Sequence, residues 1–210
     1  MSLHEAILNG KLPAGARLKV RDIADQVGTS VMPVREAIRR LEEAGLAERK
    51  PHKGAVVTDL TVDELTHIYD VRMVLEREAT AAGVPNLTDK ECDRMEVALD
   101  GIRKAIKNRE IIPYLNQDEK FLEIMYGASG NPVLVNLIKS LWMRCRAYKI
   151  VGAKRSFDLR APEELLVHQE AMLAAARAKN ATKAAAANEK ALREASARIE
   201  ATLNAKKAAE

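Results

Sequence analysis

Asp118, His168 and the carboxylates near them are the side chains of this sequence best suited to metal-assisted hydrolysis. Aspartate and histidine both ligate metals, and a bound divalent cation activates water for attack. The sequence contains no H-E-x-x-H pair, no nucleophile elbow and no glycine-rich phosphate loop. We therefore do not expect an enzyme.

Basic side chains on short helices form a second set, and they suit contact with a nucleic acid. Arg35 lies in the first turn of a predicted helix that begins after Ser30, where a long side chain can reach a base edge. The free N–H groups at the start of that helix suit a phosphate. From periodicity alone, Arg35 and Arg39 fit a solvated helix face equally well. Two interpretations also fit Arg40 and Lys50, which can contact phosphate or serve only as surface charges.

Short helices and a hairpin must position these basic residues. Apolar spacing and turn residues predict helices over residues 3–8, over residues 20–27 and after Ser30. Residues 46–49 and 55–58 have extended character and flank a basic tip, so they predict a small hairpin. A helix, a glycine turn, a second helix and a basic hairpin are the parts of a winged helix-turn-helix.

The rest of the chain predicts long helices. The low aromatic content of 3% and the abundance of Ala, Leu, Glu, Lys and Arg favour helix over sheet. We place a domain boundary near residues 59–61. This gives a mainly α protein with a winged helix-turn-helix domain over 1–60 and an all-helical bundle over 61–210. The predicted long helices cover about 62–83, 88–108, 110–127, 131–151, 162–179 and 181–204.

Bulk composition limits the location and partners of the protein. A formal charge of +4 permits binding to a polyanion without establishing it. The two cysteines, Cys92 and Cys145, have no local metal-ligand partners, which indicates free thiols in a reducing cytoplasm. No apolar run is long enough to cross a membrane, so no membrane partner is expected. If the opening Met1-Ser2-Leu3 is not native, the first helix is a truncated version of a longer one.

Residues 23–46, IADQVGTSVMPVREAIRRLEEAGL, resemble the helix-turn-helix signature of GntR regulators, S-x-x-P-V-R-E-A-L-x-x-L-x-x-x-G-L. Residues 10–18 resemble the family's G-x-L-x-P-G-x-x-L entry, and residues 52–55 resemble its wing. The resemblance implies DNA contacts at the matching residues. With the basic wing and helix residues added, the candidate DNA-binding set is Arg21, Ser30, Arg35, Arg39, His52, Lys53 and Gly54.

This sequence departs from the GntR pattern at two positions. The family usually has arginine and then threonine after the serine, whereas Val31 and Met32 stand here. A base-reading guanidinium is absent, and one bidentate contact gives about 1–3 kcal/mol of discrimination. We therefore expect an altered operator preference rather than a loss of binding.

Residues 61–204 resemble the FCD effector domain of the FadR subfamily. The resemblance rests on two segments, YDVRMVLE at 69–76 and GNPVL at 130–134. It implies homodimerisation, binding to operator DNA and an organic-acid effector, with repression the commoner mode. A helical interaction module without a DNA role is the remaining alternative, and the intact helix-turn-helix and wing argue against it.

Many FCD domains bind a divalent metal through an aspartate, a histidine four residues later and two further histidines. Asp118 and His168 match, but Leu122 stands at the second position, and the last falls at Lys190 or Ala191. Two of four ligands are missing, so we expect no tightly bound metal. The alternative is that a neighbouring carboxylate substitutes, from among Glu119, Glu123 and Glu164.

A metal-free pocket is the favoured interpretation of this region. In it Arg72 pairs with an organic anion, while Asp118, Asn131 and His168 add hydrogen bonds. Arg72 and Glu76 are four residues apart on one predicted helix. A structural salt bridge between them is therefore an equally good explanation of Arg72.

Overall fold

The computed structural model describes residues 2–158 and 162–207. The chain divides into two compact units, Met1–Thr61 with Trp142–Ala147, and Val62–Leu141 with Tyr148–Glu210. None of the described helices has the length and apolarity needed to cross a bilayer.

The first unit is a winged helix-turn-helix. Its helices are α1 (Leu3–Leu8), α2 (Val20–Val27) and α3 (Val31–Glu43). Strands β1 (Ala47–Lys50) and β2 (Gly54–Val57) follow as an antiparallel hairpin in which Lys50 pairs with Gly54. Arg17 bridges Val56, so the segment before α2 extends this small sheet.

One apolar core holds these elements together, because α2, α3 and the hairpin each present an apolar face to it. Gly28, at φ +68°, ends α2 in the left-handed conformation and turns the chain into α3. The buried residues of this core are Ile7, Leu18, Ala24, Val34, Ile38, Leu41, Leu46, Ala47 and Val57.

The second unit consists of long helices, as the spacing predicts. They are α4 (Val62–Gly83), α5 (Asp89–Asn108), α6 (Ile111–Gly127), α7 (Pro132–Asp158), α8 (Val167–Arg177) and α9 (Ala181–Lys207). Short 3₁₀ helices cover Val84–Asn86 and Pro162–Leu165. Helix α5 packs against α6, and α9 packs against α4 and α8. Fully buried large side chains, among them Met95, Phe121 and Tyr126, fill the space between them.

The predicted break after residue 151 is wrong, because α7 continues through Gly152 to Asp158. A Cβ atom at position 152 would lie 2.9 Å from Cγ1 of Ile199 on α9. The glycine is therefore needed for close helix packing rather than to end the helix. Residues 159–161 of the predicted break lie outside the described residues. The predicted helix over 162–179 is a 3₁₀ turn followed by the separate helix α8.

Candidate functional site

Helix α3 is fixed by its apolar face. Val34, Ile38 and Leu41 are buried, while Arg35 and Arg39 are exposed on other faces of the helix. Because burial of one face sets the rotation of the helix, the sequence also decides which side chains meet solvent. The exposed face of α3 is the candidate nucleic-acid surface of this unit.

The two arginines of that surface differ in their partners. Arg35 forms no ion pair with any described residue of the chain. Arg39 pairs with Glu36 at 2.7 Å and also with Glu43, both on its own helix. Hydrogen bonds from Arg39 and Arg40 lower the pKa of Glu36 to about 2. Arg35 is therefore available to a ligand. Arg39 instead belongs to a charged helix face, which is the alternative that periodicity left open for it.

The first turn of α3 has polar groups without capping partners. Ser30 occupies the N-cap position with extended backbone angles, yet its side chain makes no capping hydrogen bond. The N–H groups of the first helical turn have no intrahelical acceptor, so an anion can accept from them. Arg21 is exposed in the first turn of α2.

The hairpin turn holds the three predicted wing residues, and all three are exposed. Gly54 adopts φ +72° and has open space around its Cα, a conformation that favours glycine. His52 also has a positive φ, and its carbonyl oxygen accepts a 3.0 Å hydrogen bond from Arg17 Nη2. This bond ties the turn to the segment before α2 and leaves Lys53 pointing to solvent.

Val31 and Met32 begin α3 as exposed apolar side chains. Their exposed fractions are 38% and 70%, high values for apolar residues of this size. The missing guanidinium is thus replaced by surfaces that can contact only apolar groups, such as the methyl group of thymine.

The second unit contains a cavity of about 70 Å³. Arg72, Asp118 and His168 line it, so the structure brings three of the four predicted effector residues together. Asn131 is elsewhere, and its predicted place in the pocket is wrong. It is exposed at the start of α7, where its Oδ1 accepts a 3.1 Å hydrogen bond from the N–H of Leu134. Its role is that of a helix cap.

Arg72 belongs to a buried polar network. Its Nε donates a 2.7 Å hydrogen bond to Glu76 Oε1, and its guanidinium lies 4.6 Å from the centre of the Tyr69 ring. Glu76 Oε2 accepts from the hydroxyl of Tyr126 at 2.7 Å. Asn188 Nδ2 lies 2.9 Å from that same hydroxyl oxygen. The salt bridge with Glu76, the alternative left open for Arg72, is present.

Asp118 and His168 each have close polar partners. Asp118 accepts a 2.7 Å hydrogen bond from Gln169 Nε2, and Lys149 Nζ lies 3.6 Å from its other oxygen. Burial raises the pKa of Asp118, and the charge of Lys149 opposes that rise. His168 Nε2 lies 2.7 Å from Glu194 Oε2, and the hydrogen bond lowers the pKa of Glu194.

Sequence reasoning missed several polar side chains of the cavity, among them Lys149, Gln169 and Arg198. Gln169 is adjacent to the predicted His168. Neighbouring side chains on a helix point about 100° apart, so adjacency in sequence does not indicate a shared site. For Lys149 and Arg198 the sequence carries no local signal, because both lie on long helices with many exposed cations.

The residues present do not fit a divalent metal. Leu122 and Ala191 line the cavity at the two missing positions, whereas the Lys190 side chain is 70% exposed. The Lys149 ammonium beside Asp118 repels a cation. Among the described residues, no three His, Cys, Asp or Glu side chains are grouped so as to hold a metal ion.

The carboxylates considered as substitute ligands do not complete a site. Glu119 pairs with Lys149 at 3.2 Å, and Glu123 pairs with Lys139. Glu164 lies on the cavity wall with Asp118 and His168. Among the described residues, these three side chains are not grouped closely enough to hold a metal ion.

In the first unit, Arg35 on α3 has no ion-pair partner among the described residues, and the second unit is helical with a polar cavity. A winged helix-turn-helix combined with such a helical unit defines a DNA-binding transcriptional regulator. The chain belongs to the gntR family of bacterial regulatory proteins, whose family model matches residues 1–57, and it carries an FCD domain over residues 67–201. An FCD domain places it in the FadR-like subfamily. It is a regulator and not an enzyme.

Two curated relatives and one solved structure support this assignment. The chain is 30% identical to the HTH-type transcriptional regulator McbR of Escherichia coli K12, over 81% of this chain and 77% of McbR. It is 31% identical to the uncharacterized regulator YdhC of Bacillus subtilis 168, over 73% of this chain and 70% of YdhC. The structure of E. coli McbR/YncC matches with a TM-score of 0.79 and 28% identity, covering 94% of this chain and 92% of the other.

Proposed function

We propose that this regulator is a cytoplasmic, homodimeric repressor that binds a short palindromic operator and is released by a small organic acid. The observation that carries the DNA-binding part is the free, exposed Arg35 on a helix whose opposite face is buried. A two-fold symmetric dimer presents the same helix to two half-sites, which is why a palindrome is expected.

Each DNA-facing residue has a proposed role. Arg35 reads a base edge in the major groove, and the start of α3 at Ser30 receives a phosphate together with Arg21. The wing residues His52, Lys53 and Gly54 follow the phosphate backbone. Arg39 reaches DNA only by leaving its two glutamate partners, so its contribution is smaller than that of Arg35.

The cavity of the FCD domain is the proposed effector site. Asp118 and His168 line it, and their hydrogen-bonding atoms suit a small polar ligand. Release from DNA requires that the effector bind the DNA-incompetent state more tightly. A tenfold fall in operator affinity needs about 1.4 kcal/mol of coupling.

The test begins with selection of bound fragments from genomic DNA of the source organism by the purified full chain. We expect one short palindrome to be enriched, and Arg35→Ala to weaken binding to it by about 1–3 kcal/mol. Arg193→Ala is the matched control, because Arg193 is an exposed arginine of α9 that pairs only with Glu189 among the described residues. Unchanged operator affinity in Arg35→Ala would contradict the assignment of this residue.

Two further measurements test the remaining parts. Light scattering of the purified chain gives its mass in solution, and a monomer at operator-binding concentrations would contradict the homodimer. A reporter gene placed behind the selected operator separates repression from activation, since a repressor lowers its expression.

A further inference from the structure

The start of α3 presents two adjacent apolar side chains to solvent. Val31 is 38% exposed and Met32 is 70% exposed. Neither belongs to the apolar core of the winged helix-turn-helix or to the partly buried side chains that pack against that core. Their apolar surface is therefore available for contact with another molecule.

Helix α3 places this apolar pair beside the proposed base-reading arginine. Side chains three and four residues apart are neighbours on a helix, so Arg35 adjoins both Met32 and Val31. Arg35 is exposed and forms no ion pair with a described residue. Val34 is buried on the other side of the helix, which turns Arg35 and the apolar pair toward solvent. The pair thus extends the proposed DNA surface rather than forming a separate one.

The first turn of α3 directs these side chains past the end of the helix. The Cα–Cβ bonds of an α-helix tilt toward its N-terminus, and Val31 and Met32 are the first two residues of α3. In a helix-turn-helix, residues at this end of the second helix contact base edges in the major groove. Val31 and Met32 are therefore placed to contact bases.

The chemistry of these side chains limits what they can recognise in the major groove. The nitrogen and oxygen atoms of the base edges need hydrogen-bonding partners, which valine lacks and methionine offers only weakly through sulfur. The C5 methyl of thymine is the apolar group that the standard bases present in this groove. Methionine is unbranched and flexible, so its side chain can adapt to the position of that methyl group.

We infer that Val31 and Met32 read the C5 methyl group of a pyrimidine in each half-site of the operator. The contact depends on the methyl group and not on the hydrogen-bonding edge of the base. 5-Methylcytosine, which carries the same methyl group, is therefore bound more tightly than unmethylated cytosine at this position. This inference rests on the proposed binding of operator DNA.

The first test uses the full chain and duplexes of the selected operator that differ by single methyl groups. Each thymine is replaced in turn by uracil, in one half-site and then in both, which keeps every hydrogen-bonding group of the base. Fluorescence anisotropy measures the affinity at one fixed salt concentration, because salt alone changes DNA affinity strongly. Loss of one buried methyl group should weaken binding about fourfold, and loss in both half-sites about tenfold or more. Equal affinity at every thymine, or half-sites without thymine, overturns the inference.

A second set of duplexes tests the same methyl group on the other pyrimidine. The sensitive thymine–adenine pair is changed to cytosine–guanine, with and without a methyl group at C5 of that cytosine. The methylated duplex should bind about fourfold more tightly for each half-site. Equal binding of the two duplexes overturns the recognition of methylated cytosine.

Two variants assign the methyl contact to the start of α3. Val31→Ser and Met32→Gln each replace an exposed apolar side chain by a polar one, so both should keep the melting temperature of the parent chain. The ratio of affinities for the thymine and uracil duplexes should fall toward one in at least one of them. Val97→Gln, at a position on α5 that is 66% exposed, is the matched control and should keep the parent ratio. If both α3 variants also keep it, another side chain reads the methyl group and the assignment is wrong.

The inference and the proposed function fail in different ways. If the chain binds its operator but the uracil duplexes bind equally well, the inference fails and the proposed function stands. If the folded chain selects and binds no operator, the proposed function fails and the inference fails with it.

Discussion

Arg72 Nε donates a 2.7 Å hydrogen bond to Glu76 Oε1, and both side chains are buried between the helices of the FCD domain. Glu76 also accepts from Tyr126, whose hydroxyl contacts Asn188. The pair therefore connects α4 with α6 and α9. Removing one partner of such a buried pair strongly destabilises the fold, because the other charge is left buried without a partner.

Arg72→Met should destabilise the chain by about 3–5 kcal/mol, because it leaves the Glu76 carboxylate buried without its cation. The free energy of unfolding from urea titration measures this loss. Arg77→Met, on the exposed face of the same helix, should change it little. Full stability combined with lost effector binding would identify Arg72 as an effector anchor instead.

Val31→Arg should change which operator the protein prefers. A guanidinium at the start of α3 adds a bidentate contact to guanine, worth about 1–3 kcal/mol at one base pair of each half-site. Selection from random DNA should show a gain of guanine at that position. Val71→Arg adds the same charge on an exposed position of α4 and should leave the selected sequence unchanged. An unaltered motif in Val31→Arg would show that this position does not face a base.

Glu36→Gln should strengthen general DNA binding. The substitution removes the carboxylate that holds Arg39 and Arg40 on the helix surface, so both are freer to meet phosphate. One added phosphate contact steepens the slope of log affinity against log salt concentration by about 0.9. Glu189→Gln makes the same charge change on α9 and controls for net charge. Equal slopes in the two variants would mean that Glu36 does not restrain these arginines at the DNA surface.

The lowered pKa of Glu36 predicts that stability depends on pH. Its folded pKa is lowered from 4.5 to about 2, chiefly by the hydrogen bond from Arg39. Stabilisation by a carboxylate of lowered pKa is complete above the unfolded value of 4.5 and is lost as the pH falls through about 2. The melting temperature of the parent chain should exceed that of Glu36→Gln above pH 4.5, and the gap should close at lower pH. A gap as large at pH 2 as at neutral pH would contradict the ion pair as its cause.

Gly152→Ala should destabilise the FCD domain, although alanine is normally the better helix former by about 1 kcal/mol. The added Cβ would lie 2.9 Å from Cγ1 of Ile199, so α7 and α9 must separate or Ile199 must move. Truncation of Ile199 to alanine should relieve the clash, and the double-mutant cycle should show favourable coupling between the two changes. Additive effects would mean that the two positions do not touch.

Local patterns predicted most of the secondary structure. Apolar residues three and four apart predict α2 and α3, and Gly28 ends α2 at the predicted residue. The long helices begin within a residue of their predicted starts where turn residues precede them, as at α5 and α6. These features depend on neighbours along the chain, which periodicity and capping residues encode directly.

Partner choice at the candidate sites was much less predictable. The spacing of Arg72 and Glu76 allowed their salt bridge, but an Arg72 that pairs with an organic anion fitted the sequence equally well. Asn131 was predicted to lie in the pocket, whereas the structure shows that it caps the start of α7. Sequence spacing alone does not state which helix lies opposite a side chain.

By itself the sequence determined the helices, the winged helix-turn-helix, the family and the apolar residues at the start of α3. All of these follow from residue types and short spacings. Only the tertiary structure decided that Lys149 lies beside Asp118, that Gln169 donates a hydrogen bond to Asp118, and that Gly152 admits Ile199. Those relationships join residues 31, 51 and 47 positions apart or come from burial, so they depend on how the helices pack rather than on any local pattern.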